Sequence, residues 1–250
     1  MAGHSKWANI KHKKGAADAK RGKVFTKHAK LITIAARDGG GDPEMNPGLR
    51  TAIANAKADN VPNSNIEKAI KKGTGEDKDG ADLKEMMYEG FGPAGTTMMV
   101  QVVTDNSNRS FTNVKTVFNK TGGNMGEAGT VAYLYDRKGV VIASTEGKDS
   151  DEAELEAIDA GAEDLQRDGD IFEITTAFEE LSDVRDNLEK AGFKIEKAEI
   201  SYLPKMPVHI DNLEDAKKVL KLVEALEDDE DVTNVFSNFD IEDSLIEQLD

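Results

Sequence analysis

The chain of 250 residues is long enough for two or three compact units, since a typical domain has about 150 residues. Apolar residues reach 38% even before the 22 glycines are added, which excludes wholesale disorder. The absence of cysteine excludes disulfides, thiolate metal sites and cysteine nucleophiles. No apolar run approaches the roughly 18 residues of a membrane span, so we expect a cytoplasmic protein with no membrane partner.

The net charge of −16 is the sum of two parts of the chain with opposite charge. Residues 1–37 contain ten Lys or Arg residues against Asp18 alone, which leaves them at +9 and the remainder at −25. At physiological ionic strength charges are screened over about 8 Å, so the basic segment keeps its own field. Such a segment typically neutralises phosphates. A solvated basic face, or an arm folded back on the acidic remainder, is the alternative interpretation.

The first 40 residues have the pattern of an arm followed by a helix. Residues 1–15 carry the basic run without a clean period, which predicts an extended arm. Apolar side chains at 3.6-residue spacing predict a helix over 18–37 that ends at three consecutive glycines. Its other side carries a basic stripe, formed by Lys20, Lys23, Lys27, Lys30 and Arg37.

Two shorter helices are predicted before residue 76. The first begins at an Asn46 N-cap, has Pro47 in its first turn and ends before Pro62. The second begins with a capping box at Ser64 and stops at Gly73. The three helices together predict a small helical bundle.

Beyond residue 80 the hydrophobic period switches to a mixture of strands and helices. Short β-branched or aromatic runs predict strands at 97–103, 130–135, 139–143, 171–175, 195–203 and 232–237. Amphipathic stretches predict helices at 109–119, 151–165, 177–191 and 213–226. The motif Gly90-Phe91-Gly92-Pro93-Ala94-Gly95 matches a dinucleotide fingerprint in letters only, because a strand follows it where a helix should open, and it predicts a turn.

The fold class expected from this order is α+β and multidomain, with an N-terminal three-helix bundle followed by two α/β-sandwich domains. We expect a basic arm and helical bundle at 1–76, and an α+β domain built from 81–130 plus 205–240. Residues 131–204 would then form an inserted α+β domain, and 241–250 an acidic tail.

The predicted site is the basic segment, where lysines would hold phosphates. Trp7 stands within it, and an aromatic ring there stacks on an unpaired base or instead pins the arm against the bundle. Ser107-Asn108-Arg109-Ser110 offers a second anion site at a helix N-terminus, although ordinary capping explains it equally well. The nucleic-acid-binding candidates are Lys6, Trp7, Lys11, His12, Lys13, Lys14, Lys20, Arg21, Lys23, Lys27, Lys30 and Arg37. We find no catalytic constellation, no metal site and no cofactor motif, and expect a protein that is not an enzyme.

The run Ala2-Gly3-His4-Ser5-Lys6-Trp7-Ala8-Asn9-Ile10-Lys11-His12-Lys13-Lys14 resembles the opening of the YebC/PmpR family, which includes the mitochondrial translational activator of cytochrome c oxidase. The likeness continues through Asn46-Pro47, Asn60-Val61-Pro62, Tyr88-Glu89-Gly90 and Thr104-Asp105-Asn106, across essentially the whole chain. The resemblance implies a three-domain protein and a DNA-binding transcriptional regulator.

For some members the resemblance implies action on translation at the ribosome instead. The expected partner is therefore DNA, with ribosomal or messenger RNA bound by a ribosome-associated translation factor as the alternative. No helix-turn-helix pattern with base-reading side chains is present, which argues against strong sequence specificity. We expect a monomer.

Overall fold

A computed structural model of the chain describes residues 18–77, 83–145, 149–246 and 248, and its class is α+β. The helices are α1 (Asp18–Gly39), α2 (Pro47–Ala58), α3 (Asn63–Gly73), α4 (Ser107–Lys120), α5 (Ser150–Asp159), α6 (Leu181–Lys190), α7 (Leu213–Glu227) and α8 (Asp243–Ile246). The strands are β1 (Lys84–Phe91), β2 (Thr97–Thr104), β3 (Asn124–Met125), β4 (Tyr135–Ser144), β5 (Asp164–Asp168), β6 (Ile171–Thr176), β7 (Lys194–Pro204), β8 (Val208–Ile210), β9 (Val232–Ser237) and β10 (Phe239–Ile241). Among these helices none is long and apolar enough to cross a membrane.

The chain divides into two compact units. The first comprises the described residues within Met1–Leu31, Ala81–Asp136 and Tyr202–Asp250. The second comprises those within Ile32–Gly80 and Arg137–Ser201. The domain boundaries expected from the sequence stay a prediction.

The first unit contains a four-stranded sheet in the order β3-β1-β2-β9. Its strand pairs are antiparallel, and the register of β2 against β9 shifts once, between Gln101 and Val102. Strand β9 pairs with β2 although about 130 residues separate them along the chain. A separate parallel pair joins β8 and β10. Within the expected acidic tail, residues 243–246 form α8, and the side chain of Leu245 is buried.

Helices α4 and α7 contribute to the core of this unit because their apolar stripes match one face of β2. Met98, Val100 and Val102 lie on that face and share a core cluster with Phe118 and Leu222. Since side chains alternate along a strand, the intervening Met99 faces the other side, where it packs with Val131, Tyr135 and Phe236. Both faces of β2 are thus buried.

The strand predicted at 130–135 is wrong. Residues 132–134 form a 3₁₀ turn, and the strand begins only at Tyr135. The cause is Glu89, whose buried carboxylate accepts hydrogen bonds from the backbone N–H groups of Gly129, Val131 and Ala132 at 2.7–2.8 Å. Donors occupied by a side chain cannot build a strand ladder. Burial raises the pKa of Glu89, but these bonds outweigh it and the net shift is downward.

The second unit contains a four-stranded sheet in the order β5-β6-β4-β7. Phe172 and Ile174 of β6 form its core with Ala153 of α5 and with Val184 and Leu188 of α6. The helix predicted over 151–165 is wrong in its second half, because α5 ends at Asp159 and β5 begins at Asp164. Gly161 has φ +111°, a backbone conformation that breaks the helix there.

The helices of the N-terminal region begin and end close to the predicted positions. Asn46 caps α2 by accepting from the Leu49 N–H at 3.0 Å, and its amide donates to the carbonyls of Ala35 and Gly40. The capping box at Ser64 is wrong, since α3 begins one residue earlier, at Asn63, and Pro62 gives no side-chain cap.

Close packing joins α3 to the end of α1. Thr33 donates to the Ala69 carbonyl at 3.1 Å, and a Cβ on Gly73 would lie 2.4 Å from the Thr33 carbonyl oxygen. A glycine is therefore required at residue 73 for this approach.

Candidate nucleic-acid interface

The structure describes only some of the predicted site residues. Lys6, Trp7, Lys11, His12, Lys13 and Lys14 lie outside the described residues, and the side chain of Lys20 does too. Arg21 and Arg37 are exposed on α1. Lys23, Lys27 and Lys30 are four and three residues apart, a spacing that places them on one face of the helix.

That face contacts an acidic segment of the same unit, residues 227–231, which begins at the last residue of α7 and leads to β9. The Lys23 ammonium donates to the Asp228 carbonyl at 3.0 Å and lies 3.4 Å from its carboxylate. Lys27 donates to the Glu227 carbonyl at 2.6 Å. Lys30 donates to the Glu230 carbonyl at 2.8 Å and to the Asp231 carboxylate at 2.7 Å. These three lysines thus contact their own chain, as in the alternative interpretation of the basic segment.

The electrostatics of a helix end explain why lysines bind here. The last carbonyls of a helix lack intrahelical partners and carry a partial negative charge. The last turn of α7 has no basic residue of its own. Five consecutive acidic residues run from its last residue, Glu227, to Asp231. The lysine ammonium groups of α1 supply the positive charge and the hydrogen-bond donors that the end of α7 lacks.

Asp231 is the centre of a buried polar network at the inner end of this contact. Its carboxylate accepts from Lys30, from Ser110 at 2.7 Å, from Thr104 at 3.1 Å and from two nitrogens of Arg109 at 2.8–3.1 Å. Its side chain is 6% exposed. Burial raises the pKa of Asp231, but the bonds from Lys30, Arg109 and Ser110 outweigh it and lower the pKa from 3.8 to about 2.

The second candidate anion site, at the start of α4, is occupied by protein groups. Asn106 caps the helix by accepting from the Arg109 N–H at 3.1 Å. The Arg109 guanidinium is bound by Asp231 and by Asp105, each at 2.8 Å. Capping, which is the alternative interpretation, explains this motif together with an internal ion pair that the sequence did not indicate.

The lysine contacts become more exposed to solvent from Lys30 to Lys23. The side chains of Lys30 and Asp231 are 15% and 6% exposed, whereas those of Lys23 and Asp228 are 39% and 70% exposed. An exposed pair contributes only about 0–1 kcal/mol, because water and salt screen it. A buried charge that loses its partner costs several times more. The Lys30 contact is therefore buried, and the Lys23 contact is open to solvent.

Two family models match the chain. One, described as "TACO1/YebC protein N-terminal domain", matches residues 5–76, and the other, "TACO1/YebC second and third domain", matches residues 83–239. Together they cover most of its length. The chain belongs to the YebC family.

Curated relatives agree in name and in length. A "Probable transcriptional regulatory protein" of Fusobacterium nucleatum is 52% identical over 250 residues, and the match covers all of both chains. One of the same description from Geobacter sulfurreducens is 50% identical, again over all of both chains.

A solved structure also resembles this chain. The crystal structure of a conserved hypothetical protein from Aquifex aeolicus is similar with a TM-score of 0.84 and 47% identity. The likeness covers 90% of this chain and 93% of that one. The α+β fold of this chain is therefore shared with a solved structure.

Sequence reasoning missed the acidic half of this site in the YebC chain. The signal was present as the run Glu227-Asp228-Asp229-Glu230-Asp231, five carboxylates in a row between an amphipathic helix and a strand. Its position next to α1 could not be read from the sequence, because about 200 residues separate the lysines from their partners.

Proposed function

We propose that this chain is a non-enzymatic regulator of gene expression that binds DNA through its basic N-terminal segment. The observation that carries the proposal is the segregation of charge, with +9 in residues 1–37 of a chain whose net charge is −16. Phosphate neutralisation by clustered lysines supplies the sequence-independent part of DNA binding. The names of relatives from Fusobacterium nucleatum and Geobacter sulfurreducens, both called probable transcriptional regulatory proteins, support the same assignment.

We also propose that residues 1–76 act as one nucleic-acid-binding domain whose helices α1–α3 form a bundle. The match of residues 5–76 to an N-terminal domain model supports this boundary. Contacts among the helices point the same way, with Thr33 of α1 bonded to Ala69 of α3 and Asn46 bonded to Ala35. In this proposal the bundle presents the basic residues, and the acidic remainder positions them.

The proposal is tested by salt-dependent binding of labelled duplex DNA to the full chain. The variant Lys11→Ala/Lys13→Ala/Lys14→Ala should weaken binding for every DNA sequence and reduce the slope of log K against log salt by about 0.9 for each phosphate that is no longer neutralised. The matched control is Lys120→Ala/Lys217→Ala/Lys221→Ala, which removes the same charge at exposed positions of α4 and α7. Equal slopes for the two triple variants would contradict the proposal.

The identity of the nucleic acid is tested separately. Native protein is crosslinked in cells, sedimented with and without RNase treatment, and its bound nucleic acid is sequenced. Promoter DNA that persists after RNase treatment supports the proposed regulator of transcription. Ribosomal or messenger RNA reads, together with RNase-sensitive sedimentation, would replace it by the translation factor.

A further inference from the structure

The oxygens that bind Lys23 and Lys27 engage the same ammonium donors that a phosphate would use. Three ammonium groups on one helical face are bound by carbonyl and carboxylate oxygens at 2.6–3.4 Å. Lysine binds phosphate through the same ammonium donors and over the same distances. A donor that is engaged by the acidic segment is therefore in competition with DNA.

The competition is uneven along the helix. Lys30 holds Asp231, a buried carboxylate that also binds Arg109, Ser110 and Thr104, so phosphate cannot replace it without breaking that network. Lys23 is the opposite case, since its partner Asp228 is 70% exposed and, within the described part of the chain, no other side chain holds that carboxylate. Lys27 binds a main-chain carbonyl at the end of α7, with Asp228 and Glu230 close along the chain.

We infer that residues 227–230 are an internal competitor of DNA for Lys23 and Lys27, and that the Lys30–Asp231 contact keeps the helix in place during the exchange. The inference rests on the proposed DNA-binding function and adds its regulation. In the free protein Lys23 lies against the carboxylate of Asp228, and Lys27 donates to the main-chain carbonyl of Glu227 next to it. DNA that approaches α1 displaces the outer carboxylates, and the full set of lysines becomes available only when phosphate is present.

The test compares two variants with the same change in charge. Asp228→Asn/Glu230→Gln removes two exposed carboxylates beside the lysines and keeps the side-chain shapes. Asp211→Asn/Glu214→Gln removes two exposed carboxylates at the opposite end of α7, which is about 20 Å away for a helix of 15 residues. That distance exceeds the screening length of about 8 Å, so the control measures only the general effect of charge.

Binding of fluorescent duplex DNA to full-length protein is measured by anisotropy at about 50 to 200 mM salt. Asp228→Asn/Glu230→Gln should raise the affinity at the lowest salt about 3- to 10-fold over wild type and steepen the salt slope by about 1 to 2. The Asp211→Asn/Glu214→Gln control should stay within about twofold of wild type. A thermal melt of each variant verifies that it is folded.

A double-mutant cycle tests whether Lys23 and Lys27 are the donors that the acidic segment blocks. In a Lys23→Gln/Lys27→Gln background, the added Asp228→Asn/Glu230→Gln pair should give no gain in affinity, because the released donors are missing. A gain that persists there, or an equal gain from the control at the far end of α7, overturns the inference and leaves the proposed function standing. Absence of DNA binding in every variant overturns the proposed function, and the inference falls with it.

Discussion

The two ends of the acidic segment each have an aspartate in contact with a lysine of α1, but they differ in burial and in the number of hydrogen-bond donors. At the inner end, Asp231 is buried, accepts bonds from Lys30, Arg109, Ser110 and Thr104, and has its pKa lowered to about 2. At the outer end, Asp228 is 70% exposed and lies 3.4 Å from Lys23. Burial and the number of donors, not the charge itself, decide whether a carboxylate is a structural anchor or a weak contact.

The largest effect expected is from Asp231→Ala, which leaves Lys30 and Arg109 without their shared carboxylate. We expect the free energy of unfolding to fall by about 2–4 kcal/mol, somewhat less than for a fully buried pair because water reaches Arg109. Urea denaturation measures the change. Asp211→Ala, at an exposed position before α7, is the matched control and should stay within about 0.5 kcal/mol. A small effect at residue 231 would remove the distinction between the two ends.

Glu89→Gln tests whether a buried carboxylate that is held by backbone N–H groups is also an anchor. Glu89 accepts backbone N–H groups of Gly129, Val131 and Ala132, and an amide turns one oxygen into a donor that faces them. We expect a loss of about 1–3 kcal/mol in unfolding free energy and faster hydrogen exchange of these three amides. Glu85→Gln on the same strand, where the side chain is exposed, should have little effect. Unchanged exchange rates would show that the loop is held by other contacts.

The pH dependence of stability separates the inner carboxylate from the outer ones. Because the pKa of Asp231 falls from 3.8 to about 2 on folding, its stabilisation is present above pH 3.8 and is lost as the pH falls towards 2. The shift corresponds to about 2 kcal/mol at neutral pH. Urea midpoints of wild type and Asp231→Asn should therefore converge between pH 4 and 2. Curves that stay parallel through that range would contradict the assignment.

The smallest effect is expected from Asp228→Asn. The exposed pair with Lys23 should contribute below about 1 kcal/mol, and the remaining difference from wild type should vanish at high salt. Urea denaturation at low and high salt measures it. A loss as large as that from Asp231→Ala would mean that both ends of the segment are anchors.

The sequence predicted most elements that depend on local pattern. The Asn46 N-cap, the end of α1 within the run of three glycines and the extent of β9 are where their residues indicate, since caps, breakers and short-range periodicity act over a few residues. Residues 130–135 read as a strand for the same reason. Glu89, some 40 residues earlier, captures their backbone donors, and no local pattern carries that information.

Only one half of the site, the lysines of α1, could be predicted from the sequence. Lys23, Lys27 and Lys30 form a stripe that helical spacing reveals, and the prediction that they bind phosphate stays a prediction. What they contact in the folded chain depends on a loop about 200 residues away. The sequence around Arg109 allows an external anion site, whereas in the folded chain Asp231 and Asp105 bind this side chain.

The amino-acid sequence by itself determined the α+β class, the separation of positive from negative charge and the positions of most helices, because composition and periodicity act locally along the chain. Only the tertiary structure decided which lysines contact the acidic segment and which carboxylate is buried among them. Desolvation and hydrogen-bond geometry depend on groups that are distant in sequence, and they set the pKa of Asp231 and the weakness of the contact at Asp228.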